Sequence, residues 1–131
     1  MSRARDFILL AEDDVDDQEL IKMAFERATS DHSFEIANNG QEALDILQHH
    51  DTLPCVIVLD FNMPILNGIQ TLKKLNTASK YYKVPKVILT TSDSEENKKM
   101  CYLNGAVDYL VKPDSMQELV KTVRKILSYC Q

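Results

Sequence analysis

Four short apolar runs punctuate the chain, and each one stops at polar residues. Phe7-Ile8-Leu9-Leu10-Ala11 stops at acids, and Val56-Ile57-Val58-Leu59 stops at Asp60. Val87-Ile88-Leu89 stops at Thr90-Thr91-Ser92, and Tyr109-Leu110-Val111 stops at Lys112-Pro113. Runs apolar on both faces and rich in β-branched residues suit parallel strands covered on both sides. Phe34-Glu35-Ile36-Ala37 alternates, as an edge strand does. Between the runs lie helical spacings. Ile21, Ala24, Phe25 and Ala28 form one, Ala43, Leu44 and Leu47 a second, and Ile69, Leu72 and Leu75 a third. Met100, Leu103 and Ala106 follow, then Leu119, Val123, Ile126 and Leu127. Five strands alternating with five helices predict a parallel α/β sheet with right-handed crossovers.

The 131 residues suit one domain, and no linker or repeat divides them. The expectation is a single domain over 1–131, with no residues for a second. No apolar stretch approaches the roughly 20 residues of a membrane span, and the charged start is unlike a signal peptide. The three cysteines, Cys55, Cys101 and Cys130, are odd in number and lack C-x-x-C spacing. That argues against a disulfide framework or zinc site and for a reducing, cytoplasmic setting. His32, His49 and His50 read as surface residues.

Net charge sharpens this picture. The chain carries -5, yet residues 12–19 alone hold six carboxylates, so the remainder is close to neutral. An acidic balance argues against direct DNA binding. Lys73, Lys74, Lys80, Lys83, Lys86, Lys98 and Lys99 read as a solvated basic face. Asp14, Asp16, Asp17 and Glu19 read as helix-capping or solvated acids that favour the positive end of a helix dipole.

In open α/β sheets, ligands bind beyond the carboxyl ends of the strands. Those ends carry Glu12 and Asp13, then Asp60 with Asn62, then Thr90, Thr91 and Ser92, then Lys112 with Pro113. Converging carboxylates raise one another's pKa or bind a cation. Mg²⁺ fits such a set, because it needs few carboxylates and takes other ligands from phosphate oxygens. A hydroxyl and an ammonium suit the remaining phosphate oxygens. The ends together predict a site for a phosphoryl group with Mg²⁺.

These motifs, with Met63-Pro64, Asn67-Gly68 and Gly105-Ala106-Val107-Asp108, resemble the receiver domain of two-component response regulators over residues 5–128. The resemblance implies a flavodoxin-like, doubly wound sheet of order 2-1-3-4-5. It implies that Asp60 is the phosphoacceptor and that Asp13, Asp60 and the Asn62 carbonyl hold Mg²⁺, with Glu12 acting through water. Thr90 would be the switch hydroxyl, Lys112 the ammonium on the acyl phosphate, and Tyr109 the aromatic that changes rotamer. Thr91 and Ser92 would flank the site and influence hydrolysis. The Lys112–Pro113 peptide would be cis.

The implied function is a stand-alone phosphoreceiver with no output domain, not an enzyme acting on external substrates. Its phosphodonor would be a sensor histidine kinase or a histidine phosphotransfer protein. A downstream protein would bind the surface of the fourth helix, fifth strand and fifth helix. No membrane is implied, and the protein would be a monomer or a phosphorylation-dependent homodimer. Glu-Asp-Asp-x-Asp-Asp and Leu-Thr-Thr-Ser look like the receivers found beside bacterial phytochromes or hybrid kinases. A haloacid-dehalogenase-type phosphatase would want a second Asp where Asn62 stands.

Overall fold

The apolar runs become the centre of a five-stranded parallel sheet. The computed structural model describes residues 5–29 and 31–130; the first four residues of the charged start, Ser30 and Gln131 lie outside it. The strands are β1 (Arg5–Ala11), β2 (Ser33–Ala37), β3 (Leu53–Leu59), β4 (Lys86–Thr90) and β5 (Asp108–Val111). The helices are α1 (Val15–Ala28), α2 (Gly40–His49), α3 (Gly68–Thr77), α4 (Glu95–Leu103) and α5 (Met116–Leu127). The order is β2-β1-β3-β4-β5, the flavodoxin-like arrangement expected.

Alternation along the central strands sorts the core into two layers. Phe7, Leu9, Ile57, Leu59 and Ile88 face Ala43, Leu47, Leu72 and Leu75 of α2 and α3. Ile8, Leu10, Val56, Val58, Val87 and Leu89 face Ile21, Phe25, Leu119, Val123 and Ile126 of α1 and α5. Period-two side chains on a sheet covered on both faces produce this division. The alternating β2 is an edge strand, as its pattern predicts.

Several details depart from the sequence reading. The fourth helix ends at Leu103, so Ala106 packs from the following turn, where Gly105 takes φ +100°. Glycine adopts that left-handed conformation without Cβ strain. Lys86 is not on the basic face. It is buried at the start of β4, where its ammonium donates to Asn76 Oδ1 at 2.8 Å and to the Tyr82 carbonyl at 3.0 Å. Burial pushes its pKa down to about 8. His50 is half-buried and stacks on Phe7, with ring centroids 4.1 Å apart.

Two corrections concern covalent geometry. Cys55 and Cys130 form a disulfide, although nothing in their spacing suggests one. They lie 75 residues apart, and packing of α5 on the sheet brings them together. The cysteine argument for a reducing compartment therefore loses its premise. The Lys112–Pro113 peptide is trans, since no cis bond occurs among the described residues. Trans is the intrinsically favoured isomer by roughly 0.5–1 kcal/mol. Here the adjoining backbone is already satisfied, with Lys112 N–H donating to the Thr90 carbonyl at 2.7 Å.

Candidate functional site

Parallel pairing brings the four strand ends to one edge of the sheet. Ala11 pairs with Leu59, and Thr90 pairs with Val111. The residues just beyond them are therefore neighbours. Asp60 N–H donates to the Ala11 carbonyl at 3.0 Å, and Glu12 N–H to the Ala37 carbonyl at 3.0 Å. These ladder bonds carry the sheet one residue further and fix both acids on rigid backbone. Gly68 secures the loop after Asp60. Its N–H donates to the Phe61 carbonyl at 2.9 Å, and a Cβ at this position would sit 2.8 Å from the Asp60 carbonyl oxygen. A side chain there would push the loop off α3.

Carboxylate oxygens of Glu12, Asp13 and Asp60 all lie within 4.8 Å of one another. Glu12 and Asp60 are buried, whereas Asp13 is exposed. Lys112 reaches across from the end of β5. Its ammonium meets Glu12 Oε1 at 2.5 Å, Asp17 Oδ2 at 2.8 Å and Asp60 Oδ2 at 3.1 Å. An ammonium has three donors, so each carboxylate accounts for one. Those contacts push the Lys112 pKa up and hold the ammonium charged, despite burial.

Burial pushes Glu12 up to about 7 from 4.5, against the pull of Lys112 and of the Asp14 N–H; the nearby Asp60 charge adds to the rise. Between these two values the folded state binds the Glu12 proton and the unfolded state releases it. This group's contribution to stability is therefore fully present below pH 4.5 and is lost as the pH rises through about 7. In metal-free buffer, Glu12→Gln should flatten that part of the profile, measured by urea unfolding at several pH values. An unchanged slope would contradict this assignment.

Thr90 is fully buried at the end of β4, and Ser92 N–H lies 3.4 Å from its hydroxyl. Tyr109 is already buried, and its hydroxyl donates to the Ser92 carbonyl at 2.7 Å. Asn97 donates to Ser92 Oγ at 3.2 Å. The Thr90–Ser92 segment thus touches the sheet edge, Tyr109 and α4 together. Asn62 and Thr91 are exposed at the mouth, and Pro113 is half-buried. Asn62 N–H lies 3.4 Å from Asp60 Oδ1. An open cavity of about 340 Å³ beside the acids is lined by Asp13, Asn62, Met63, Pro64 and Asn67.

Asp17 is the residue that sequence reasoning missed. Asp14 caps α1, accepting from Asp16 N–H at 3.2 Å, as its position suggests. Asp17 instead joins the cluster. It stands three residues after the N-cap, where side chains reach back toward the preceding loop. That spacing was the available signal.

Residues 8–124 match the family model described as the response regulator receiver domain. The probable methanogenesis regulatory protein FilR2 of Methanothrix harundinacea is 35% identical over 126 residues, covering 93% of this chain and 81% of that protein. The chain spans about half the length of the next curated relatives it matches, 51% and 48%. Among solved structures, the phosphorylated cyanobacterial phytochrome response regulator RcpA is 26% identical, with a TM-score of 0.86. That match covers 95% of this chain and 93% of the other. The Mn²⁺-bound response regulator Rcp1 is 30% identical, with a TM-score of 0.82 and coverage of 94% and 92%.

Proposed function

The chain belongs to the response regulator receiver domain family of two-component signalling, and on that premise we propose that Asp60 accepts a phosphoryl group from a phosphohistidine partner. The observation that carries this reading is the convergence of Asp60, Lys112, Glu12 and Asp13 on one edge of the sheet. An Asp60 carboxylate oxygen attacks phosphorus, the nitrogen–phosphorus bond breaks, and an acyl phosphate forms. The donor is a sensor histidine kinase or a histidine phosphotransfer protein. The bound group is later lost to water, with Asn62, Thr91 and Ser92 lining the approach and setting its lifetime.

Phosphoryl transfer needs mostly positioning and charge neutralisation. Lys112 supplies the fixed positive charge. To meet a phosphoryl oxygen it must release one carboxylate, and Asp17 is the cheapest to release, because its side chain is 30% exposed against 1% for Glu12. The donor set suits a hard divalent cation: three close carboxylates, one of them exposed beside an open cavity. Bound by Asp13, Asp60 and the Asn62 carbonyl, with Glu12 beside them, Mg²⁺ would neutralise charge on the phosphoryl oxygens. The likeness to Mn²⁺-bound Rcp1 supports this reading.

The new group carries close to two negative charges. Thr90 offers its hydroxyl to one oxygen. Moving Thr90 shifts Ser92, and Ser92 holds the Tyr109 hydroxyl. Displacement at the site thereby reaches the α4-β5-α5 face, where Met100, Leu103, Val107 and Val111 are exposed. A change from 1:99 to 99:1 between states requires about 5.5 kcal/mol. One charge-assisted bond supplies about 1.5–3 kcal/mol, so Thr90, Lys112 and the metal act together. A downstream protein or a second copy of the chain docks on this face. Action in the cytoplasm belongs to the same proposal, as membership of the receiver family implies.

The test is hydrogen exchange and molecular size with and without beryllofluoride and Mg²⁺. Protection should change from Thr90 to Leu103 and around Tyr109, and leave β2 and α2 unaltered. Identical exchange in both states would refute the switch.

A further inference from the structure

At the opposite end of β3 lies a second group of ligating side chains that phosphoryl chemistry does not use. Cys55 is near the start of β3, Cys130 is three residues beyond α5, and His32 immediately precedes β2. One ligand atom from each lies within 4.8 Å of the others. Asp60 stands five residues along the strand from Cys55, about 16 Å at 3.3 Å per residue. We propose that His32, Cys55 and Cys130 form a redox-gated site for Zn²⁺, closed while the two cysteines are joined and open once they are reduced.

The donor set is the one zinc selects: two thiolates and an imidazole. Ligands at 2.0–2.3 Å from a tetrahedral zinc stand roughly 3.3–3.8 Å apart. The imidazole lies within 4.8 Å of both sulfurs, so a shift of about 1 Å brings it to that spacing. The larger movement is the separation of the two sulfurs after their bond is broken. Cys130 sits beyond the last helix turn, where its N–H bonds the Leu127 carbonyl at 2.9 Å, so that movement displaces little of the fold. Cys55 is buried, while Cys130 and His32 are half-buried, which encloses the site yet leaves an entry path. The Thr29 hydroxyl lies 3.4 Å from His32 Nδ1, an outer contact of the kind that orients ligating imidazoles. Water completes the fourth position.

The reaction balances with a thiol reductant. Two reductant thiols give two electrons and two protons to the Cys55–Cys130 bond and become a disulfide themselves. Zn²⁺ then displaces the two cysteine protons. The ion ties the β2 entrance, the β3 start and the α5 end together, as the disulfide ties the last two in the oxidised chain. Cys101 does not compete, because it is buried in the opposite core layer and its thiol is pushed up to about 11 by burial.

The test titrates the full chain with Zn²⁺ against a chromophoric chelator, in excess Mg²⁺ to occupy the acidic edge. Co²⁺ serves as the spectroscopic probe. The reduced chain should bind one ion with thiolate-to-cobalt charge transfer, and the oxidised chain none. His32→Ala, on a half-buried loop, should weaken binding at least about tenfold. Cys130→Ser, near the chain end, should lose most of the charge-transfer band. Three results would overturn the proposal: no binding by the reduced chain, equal binding by the oxidised chain, or unaltered affinity in His32→Ala.

Discussion

Asp60→Asn should reduce labelling by acetyl phosphate and Mg²⁺ to background while leaving the fold intact. Asn is nearly the same size as Asp and keeps an oxygen for the Asn62 N–H, 3.4 Å away. What it loses is the anionic oxygen that attacks phosphorus. The substitution also removes one of the charges crowding the buried Glu12, where Asp60 helps to raise the pKa. Stability in metal-free buffer should therefore hold or rise, so loss of labelling cannot be blamed on unfolding. Intact-mass analysis with urea unfolding checks both. Full labelling of the variant would remove Asp60 from its role.

Lys112→Ala should be the most destabilising change at the site. It leaves Glu12 and Asp60, with side chains 1% and 10% exposed, without their cation. Removing one partner of a buried charge cluster costs about 3–5 kcal/mol. Protonation of Glu12 offsets part of this, so the loss should be smaller at pH 5 than at pH 7.5. Added Mg²⁺ should restore part of it through the same carboxylates. The labelling rate should fall about tenfold to hundredfold, the worth of one charge-assisted hydrogen bond at ~1.5–3 kcal/mol. Urea unfolding at two pH values and initial labelling rates decide the matter. A variant as stable and as fast as the parent would mean that Lys112 is incidental.

The strands were legible because each central run is apolar on both faces, a pattern that only a covered sheet rewards. The site edge was legible for a related reason. Charged residues that end apolar runs have nowhere to go but the sheet rim, so the sequence alone places Glu12, Asp13, Asp60 and Lys112 together. What escaped depends on long-range packing. The Cys55–Cys130 bond spans 75 residues and has no local signature. Lys86 looked like one more surface lysine until Asn76 and the Tyr82 carbonyl gave its ammonium partners inside the fold. Asp17 was hidden as one of six carboxylates in residues 12–19, and its selection by Lys112 is a matter of tertiary reach. The expected cis Lys112–Pro113 bond came from family likeness, not from any residue pattern, and the chain is trans there.

If Asp60 is the phosphoacceptor proposed above, it alone among the clustered carboxylates carries the phosphoryl group. Borohydride reduction of the labelled protein converts an acyl phosphate to the corresponding alcohol, and peptide sequencing then locates it. Homoserine should appear at position 60 alone. An alcohol at Glu12, Asp13 or Asp17 in its place, or a phosphate that resists reduction, would contradict it.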